Sequence, residues 1–189
     1  MKTVVGFLSR EHGLDVLQAL IKNNHLEIIT LFTHKLNPKS QDKTRGIRKD
    51  FQKFADLCKQ ENIELVSIDT KDSEIKCPNC DFIVEVSWRY LISPEIVKKA
   101  NILAFGIHRG KLPDYAGAEP IKQAVLKNEK EIILSAHHLE PKIDGGKVIT
   151  TESHKINYNQ KMNQKENIEN IRNEITPLFS KITLKVLKK

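Results

Sequence analysis

Short runs rich in β-branched and aromatic residues recur along this chain, and between them lie stretches whose apolar residues keep helical spacing. Thr3 to Leu8, "HLEIITLFT" from His25, "IELVSID" from Ile63, "DFIVEVSW" from Asp81 and "NILAFGI" from Asn101 read as strands. Between them, Leu14, Leu17, Leu20 and Ile21 mark one helix, and Ile47, Phe51, Phe54 and Cys58 mark a second. "SPEIVKKA" predicts a short third helix, with Ser93 as N-cap and Pro94 at its first position. Strands that alternate with helices cannot pair through tight hairpins. Their partners lie parallel and need crossovers, so the fold class is α/β with a mainly parallel central sheet and helices on both faces.

After the fifth strand comes "GIHRGKLPDYAGAEPI", longer than the 4–6 residues that usually suffice for a connection. Ala118 to Asn128 then predicts a helix, and "EIILSAHHLE" and "GKVITTESH" predict two strands. From Lys165 a helical stripe (Ile168, Ile171, Ile175, Leu178, Ile182, Val186) runs to the end, with Pro177 expected to kink or restart it. The Asn- and Lys-rich "NYNQKMNQKEN" before it reads as a mobile connection. No internal repeat or second domain is visible, so residues 1–189 are expected to form one domain, with 165–189 as its C-terminal helix.

A hydrophobic content of 39% and a charged content of 29% suit a globular protein with a real core. The net charge of +7 sits largely in "KLNPKSQDKTRGIRKD" and the terminal "KITLKVLKK". Such segments attract phosphates, but they also serve as ordinary solvated faces. No apolar run is long enough for a membrane span and the N-terminus lacks a cleavage signal. Three cysteines then imply no disulfide framework, and the expected setting is cytoplasmic.

Four groups of residues compete as the chemical centre. His108 and Asp144 each lie at or just past a strand end, where α/β sheets bind ligands, and a carboxylate can orient an imidazole for proton transfer. Asp-Gly-Gly is equally an ordinary turn. His137 and His138 are adjacent on a strand, so only one can face a cleft, which makes a poor chelate. Cys77 and Cys80 have C-x-x-C spacing but lack the further ligands of a structural zinc site. "SREHG" after the first strand carries one glycine and no nucleotide fingerprint.

"GIHRGKLPDYAGAEPI" followed by "SAHHLEPKIDGGKVI" resembles the catalytic region of the formyltransferase family that uses 10-formyltetrahydrofolate. That pattern runs Asn-x-His-x-Ser-x-Leu-Pro, an aromatic, Gly and Pro, and later a His and Asp-x-Gly. His108, Leu112, Pro113, Tyr115, Gly117, Pro120, His137, Asp144 and Gly146 match it, and "DFIVEVSWRYLISPEI" is similar to the segment lining the folate pocket. The resemblance implies a Rossmann-like sheet and formyl transfer from the folate to a primary amine, with no metal. It makes His108 the group that stabilises the oxyanion, Asp144 its positioning partner and an aid in removing the amine proton, and His137 a further catalytic candidate. The pterin would lie against Arg89, Tyr90, Leu91 and Ile92 and against Glu140, Pro141, Lys142 and Ile143. Arg10, Arg109, Tyr115 and Gly117 would contact the acceptor.

Two departures stand out: the pattern's Asn is Gly106 and its Ser is Gly110. The Asn is implied to donate a hydrogen bond to the oxyanion, and losing such a donor costs about 10²–10³ in rate. Asn101 is too far along the strand to replace it, at roughly 16 Å, whereas His137 can reach the same cleft. The acceptor is read as an amino-sugar nucleotide or related small amine, since "GAEPI" is similar to the sugar-nucleotide and tRNA branches. The tRNA-modifying members carry a second β-domain, for which this chain shows no room, so tRNA is the weaker expectation. Glycinamide ribonucleotide as acceptor, folate hydrolysis and a catalytically impaired binder stay open, as does a homodimer.

Overall fold

The computed structural model describes residues 1–188; residue 189, counted within the expected C-terminal helix, lies outside them. The elements are β1 (Lys2–Leu8), α1 (Arg10–Ile21), β2 (Leu26–Thr33), α2 (Phe51–Gln60), β3 (Glu64–Ser67), β4 (Cys80–Val86), α3 (Pro94–Val97) and β5 (Ala100–His108). There follow α4 (Pro120–Leu126), β6 (Glu131–His138), β7 (Val148–Lys155), α5 (Gln164–Glu174) and α6 (Thr176–Leu187). One seven-stranded sheet runs in the order β3-β2-β1-β4-β5-β6-β7. β1 to β5 pair in parallel, and β6 and β7 add an antiparallel edge.

Alternation along the strands sends side chains into two cores. Val4 and Leu8 of β1 join Val84 and Val86 of β4 on one face, where α1, α2, α4, α5 and α6 pack. Val5, Phe7 and Ile83 point to the other face, covered only by short α3 and by irregular segments that include Trp88 and Tyr90. The helical cover is therefore uneven. The face with few helices is free to open into a cleft, and the reversal of strand order between β1 and β4 puts a ligand crevice at their carboxyl ends.

Two local expectations are corrected and one is met. Ile47 is 60% exposed rather than on a buried stripe, because α2 starts only at Phe51 and Ile47 instead bridges to Leu36. The C-terminal stripe restarts at Pro177 as expected: the buried Ile175 closes α5 and Pro177 opens α6. The Asn-rich stretch is built rather than loose. Asn163 and Glu166 form a capping box on α5, and the buried Asn167 donates through Nδ2 to the carbonyls of Asn159, Met162 and Asn163.

Candidate active site

β5 ends on His108, and the following loop returns to it. Ser135 of β6 accepts from the Leu112 N–H at 3.1 Å and donates to the Gly110 carbonyl at 2.9 Å, which pins the loop to the sheet. Gly110 is required by packing, because a Cβ there would come within 2.8 Å of Tyr115 and Pro120. The pattern's serine does not fit this loop. Pinned this way, the Tyr115 carbonyl accepts from His108 Nε2 at 2.6 Å.

On its other side, His108 Nδ1 lies 3.3 Å from Asp144 Oδ2. Asp144 sits in the left-handed region at φ 51, and its Oδ2 also accepts from the N–H of Gly117, itself at φ 86. Its second oxygen faces His137 Nε2 at 3.7 Å. Two residues on, Gly146 passes so close to β6 that a Cβ would sit 1.9 Å from the His138 carbonyl oxygen. That crossing sets where the Asp144 loop can lie, so the twin glycines are more than an ordinary turn.

His137 is buried, His138 exposed, as strand alternation requires. His137 Nδ1 donates to the His138 carbonyl at 3.0 Å. Burial, ahead of every other influence, holds its pKa below the ordinary histidine value, so Nε2 carries a lone pair. The Asp144 carboxyl is kept below its usual range: burial works to raise it, but the hydrogen bond and charge of His108, with the Gly117 N–H, outweigh that. Both nitrogens of His108 face oxygen acceptors, and a neutral ring can donate to only one of them.

These groups line a cleft of about 450 Å³, a size suited to a small-molecule ligand. Arg89, Tyr90, Leu91 and Ile92 form one side, and Glu140, Lys142 and Ile143 the other, whereas Pro141 stays outside the lining. Gly117 and Arg109 reach the same cleft. The Tyr115 ring does not; it turns to the far side of the loop, where its hydroxyl donates to Glu129 and Lys127 lies 4.7 Å above it.

Arg10 lines a different cleft, of about 320 Å³, with His12, Arg109 and Arg172. Arg109, Glu119 and Pro120 belong to both clefts and join them. Burial, then Arg10 and Arg172, pull the Arg109 pKa down to about 10. Four of the seven non-glycine residues at positive φ (Arg10, Ser87, Glu119 and Asp144) line these two clefts, a concentration of strain typical of functional sites.

Three contributors escaped the sequence reading. His34 stacks on Trp88 with ring centroids 4.0 Å apart, donates to the Ile68 carbonyl and accepts from the Arg89 N–H, so it supports the cleft wall. Burial, ahead of its other influences, lowers its pKa to about 3 and keeps it neutral. Arg172 joins the arginines only through folding. Glu85 interrupts the apolar alternation of β4, and that interruption was the available signal. Cys77, just before β4, and Cys80, its first residue, are free thiols, and burial pushes them up to about 12 and 11, away from the thiolate form that redox exchange needs. Among the described residues no group of three or more His, Cys, Asp and Glu has metal-binding geometry, and no helix is long and apolar enough to cross a membrane.

A family model described as formyl transferase matches residues 2–176. The chain is similar to methionyl-tRNA formyltransferase of Mycoplasmopsis pulmonis (strain UAB CTIP), at 26% identity over 153 residues, covering 79% of this chain and 51% of that one. It thus spans about half the length of that curated relative. Among solved structures it is similar to glycinamide ribonucleotide transformylase 1 from Symbiobacterium toebii (TM-score 0.71, 12% identity, 97% of this chain and 84% of that one). A sugar 3N-formyl transferase, crystallised in the presence of dTdp and 5-N-formyl-THF, gives a TM-score of 0.64 at 20% identity, covering 100% of this chain and 63% of that one. These structures share the fold, and with the family model spanning nearly the whole sequence, the chain belongs to the formyl transferase family.

Proposed function

We propose that this chain transfers a formyl group from 10-formyltetrahydrofolate to the primary amine of a phosphate-bearing acceptor, an amino-sugar nucleotide in the first instance. The observation that carries this reading is the Asp144 carboxylate held between His108 and His137 at one cleft. Transfer through a tetrahedral intermediate needs a donor for the developing oxyanion and an acceptor for the amine proton within reach of one carbon. His108 supplies the first by exchanging the Tyr115 carbonyl for the formyl oxygen. The lone pair on His137 Nε2, backed by Asp144, supplies the second.

Backbone of Tyr90 to Ile92 and of Lys142 to Asp144 lines the cleft and offers amide donors and acceptors to a pterin edge. The acceptor then enters through the joined cleft, where Arg10, Arg109 and Arg172 converge. Among the described residues, Arg10 donates a hydrogen bond to the Gln41 amide oxygen and has no ion pair, Arg172 pairs with an exposed Glu169, and Arg109 has no ion pair. The cleft's glutamates, Glu11, Glu119 and Glu169, are held by Lys53, Lys122 and Arg172, so the Arg10 and Arg109 charges favour phosphate. The sugar 3N-formyl transferase crystallised with dTdp supports a nucleotide-bearing acceptor.

The test is purified protein with 10-formyltetrahydrofolate and a panel of phosphorylated amines, scored for formamide and for formate. Formamide is the expected product; formate alone means hydrolysis and contradicts transfer. His108→Ala should lower turnover by about 10²–10⁴-fold while leaving thermal unfolding unchanged. Full activity in that variant rejects the assignment.

A further inference from the structure

Glu85 stands where β4 should be apolar. Phe82, Val84 and Val86 point into one core and Ile83 into the other, and Glu85 takes the next position on Ile83's face. A carboxyl at such a place is costly unless something there needs it. The parallel register sets Glu85 opposite Gly106 of β5. A Cβ on Gly106 would lie 2.6 Å from Glu85 Oε2, 3.1 Å from Leu139 and 3.3 Å from His137 Nε2. The missing side chain at 106 is therefore the space into which the carboxyl fits. Glu85 Oε1 accepts from the Trp88 N–H at 2.8 Å, which fixes the group, and Oε2 has no hydrogen-bond partner among the described residues. Glu85 lines the same cleft as His108, His137 and Asp144.

Building on the formyl-transfer reading, we propose that Glu85, as a neutral carboxylic acid, donates the hydrogen bond to the formyl oxygen that the family pattern assigns to the asparagine replaced here by Gly106. The two departures from the apolar strand and from the pattern thus compensate each other across one pair of strands. As the amine nitrogen forms its bond to the formyl carbon, the C=O electron pair moves onto oxygen, which Glu85 Oε2–H and His108 hold. The amine proton passes to His137. When the oxygen pair returns to re-form C=O, the bond from carbon to N10 of the folate breaks, and N10 keeps its electron pair and takes the proton from His137. Glu85 ends with its own proton.

The protonation state agrees with this role. Burial, followed by the negative charge of Asp144, raises the Glu85 pKa to about 7, against the lowering effects of the Trp88 N–H, His108 and Arg109. The titratable and charged groups facing it are His108 and Arg109 at the end of β5, His137 on β6 and Asp144 in the β6–β7 loop. From β1 its register partner is Phe7, which does not titrate. The acid form is lost as pH rises through that value, so turnover should fall on the alkaline side.

The experiment compares wild type, Glu85→Gln, Glu85→Val and Glu85→Val/Gly106→Asn, with kcat and KM measured from about pH 5.5 to 8.5. Glu85→Gln, whose amide donates at every pH, should lose the alkaline decline. Glu85→Val should lower kcat by about 10²–10³-fold with little change in the donor KM, and the added asparagine should restore at least about tenfold of it. In infrared difference spectra of wild type minus Glu85→Gln at about pH 6, the C=O stretch of a protonated carboxylic acid should be present, a readout independent of activity and of the valine variant's folding. An active wild type with Glu85→Val equal to it, an unchanged pH profile in Glu85→Gln, or no carboxylic-acid band overturns the role of Glu85 alone. A wild type that never turns over 10-formyltetrahydrofolate overturns the formyl-transfer reading, and the role of Glu85 with it.

Discussion

The cleft over His108 and the cleft over Arg10 meet at Arg109, yet they are built on different electrostatic plans. In the first, the two buried acids are answered at the catalytic end: Asp144 stands between two imidazoles, and Glu85 is shielded enough to hold its proton near neutrality. In the second, Arg10, Arg109 and Arg172 crowd together and depress the His12 pKa to about 3, burial leading and the arginines adding to it. A balanced, partly desolvated cleft suits proton transfer, because small movements of charge there change energies strongly. Glu11, Glu119 and Glu169 line that cleft too, but each is paired with a cation (Lys53, Lys122 and Arg172), and the Arg10 and Arg109 charges left without an ion pair among the described residues suit holding an anion. The difference implies that the chemical step and acceptor affinity can be perturbed separately.

The largest expected separation comes from Gly146→Ala. The new Cβ would meet the His138 carbonyl at 1.9 Å and drive the Asp144 loop away from the histidines. A misplacement of about 1 Å can cost about 10²-fold in rate, so kcat should fall by at least that much while the acceptor KM, set in the basic cleft, changes little. Steady-state kinetics on both substrates measure this, and a rise in acceptor KM with kcat intact would break the division. A smaller effect is expected from Arg172→Gln. Loss of one charge-assisted contact is worth about 1.5–3 kcal/mol, so KM for a phosphorylated amine should rise by at least about tenfold. kcat and the donor KM should hold, and an amine lacking phosphate should show no change. Equal effects on both amines would place the phosphate elsewhere.

The parallel half of the fold was readable because its signals are local. β-branched runs and helical stripes each declare themselves within about ten residues, and the five expected parallel strands appear within a residue or two of their places. The site was readable where a strand end or a turn marks it, as at His108 and before Gly145. What stayed hidden depends on register and on contacts across long stretches of chain. Gly106 reads in sequence as the loss of a donor. Only the pairing of β4 with β5 shows a carboxyl entering the vacated space. His34 and Arg172 likewise gain meaning from Trp88 and Arg109, which lie far away in sequence. Ile47 failed as a stripe residue because its spacing extends past the point where the backbone begins to coil.

Asp144→Asn gives the most direct measurement, since the amide keeps the shape and can still accept from the Gly117 N–H but cannot serve the two imidazoles as an anion. Trp88, the chain's single tryptophan, lines the cleft and reports donor binding by its fluorescence. The expected result is saturable quenching of Trp88 by 5-formyltetrahydrofolate at wild-type affinity together with formyl transfer reduced by about 10³-fold. Transfer within about threefold of wild type would show that the carboxylate between His108 and His137 is not where the chemistry occurs.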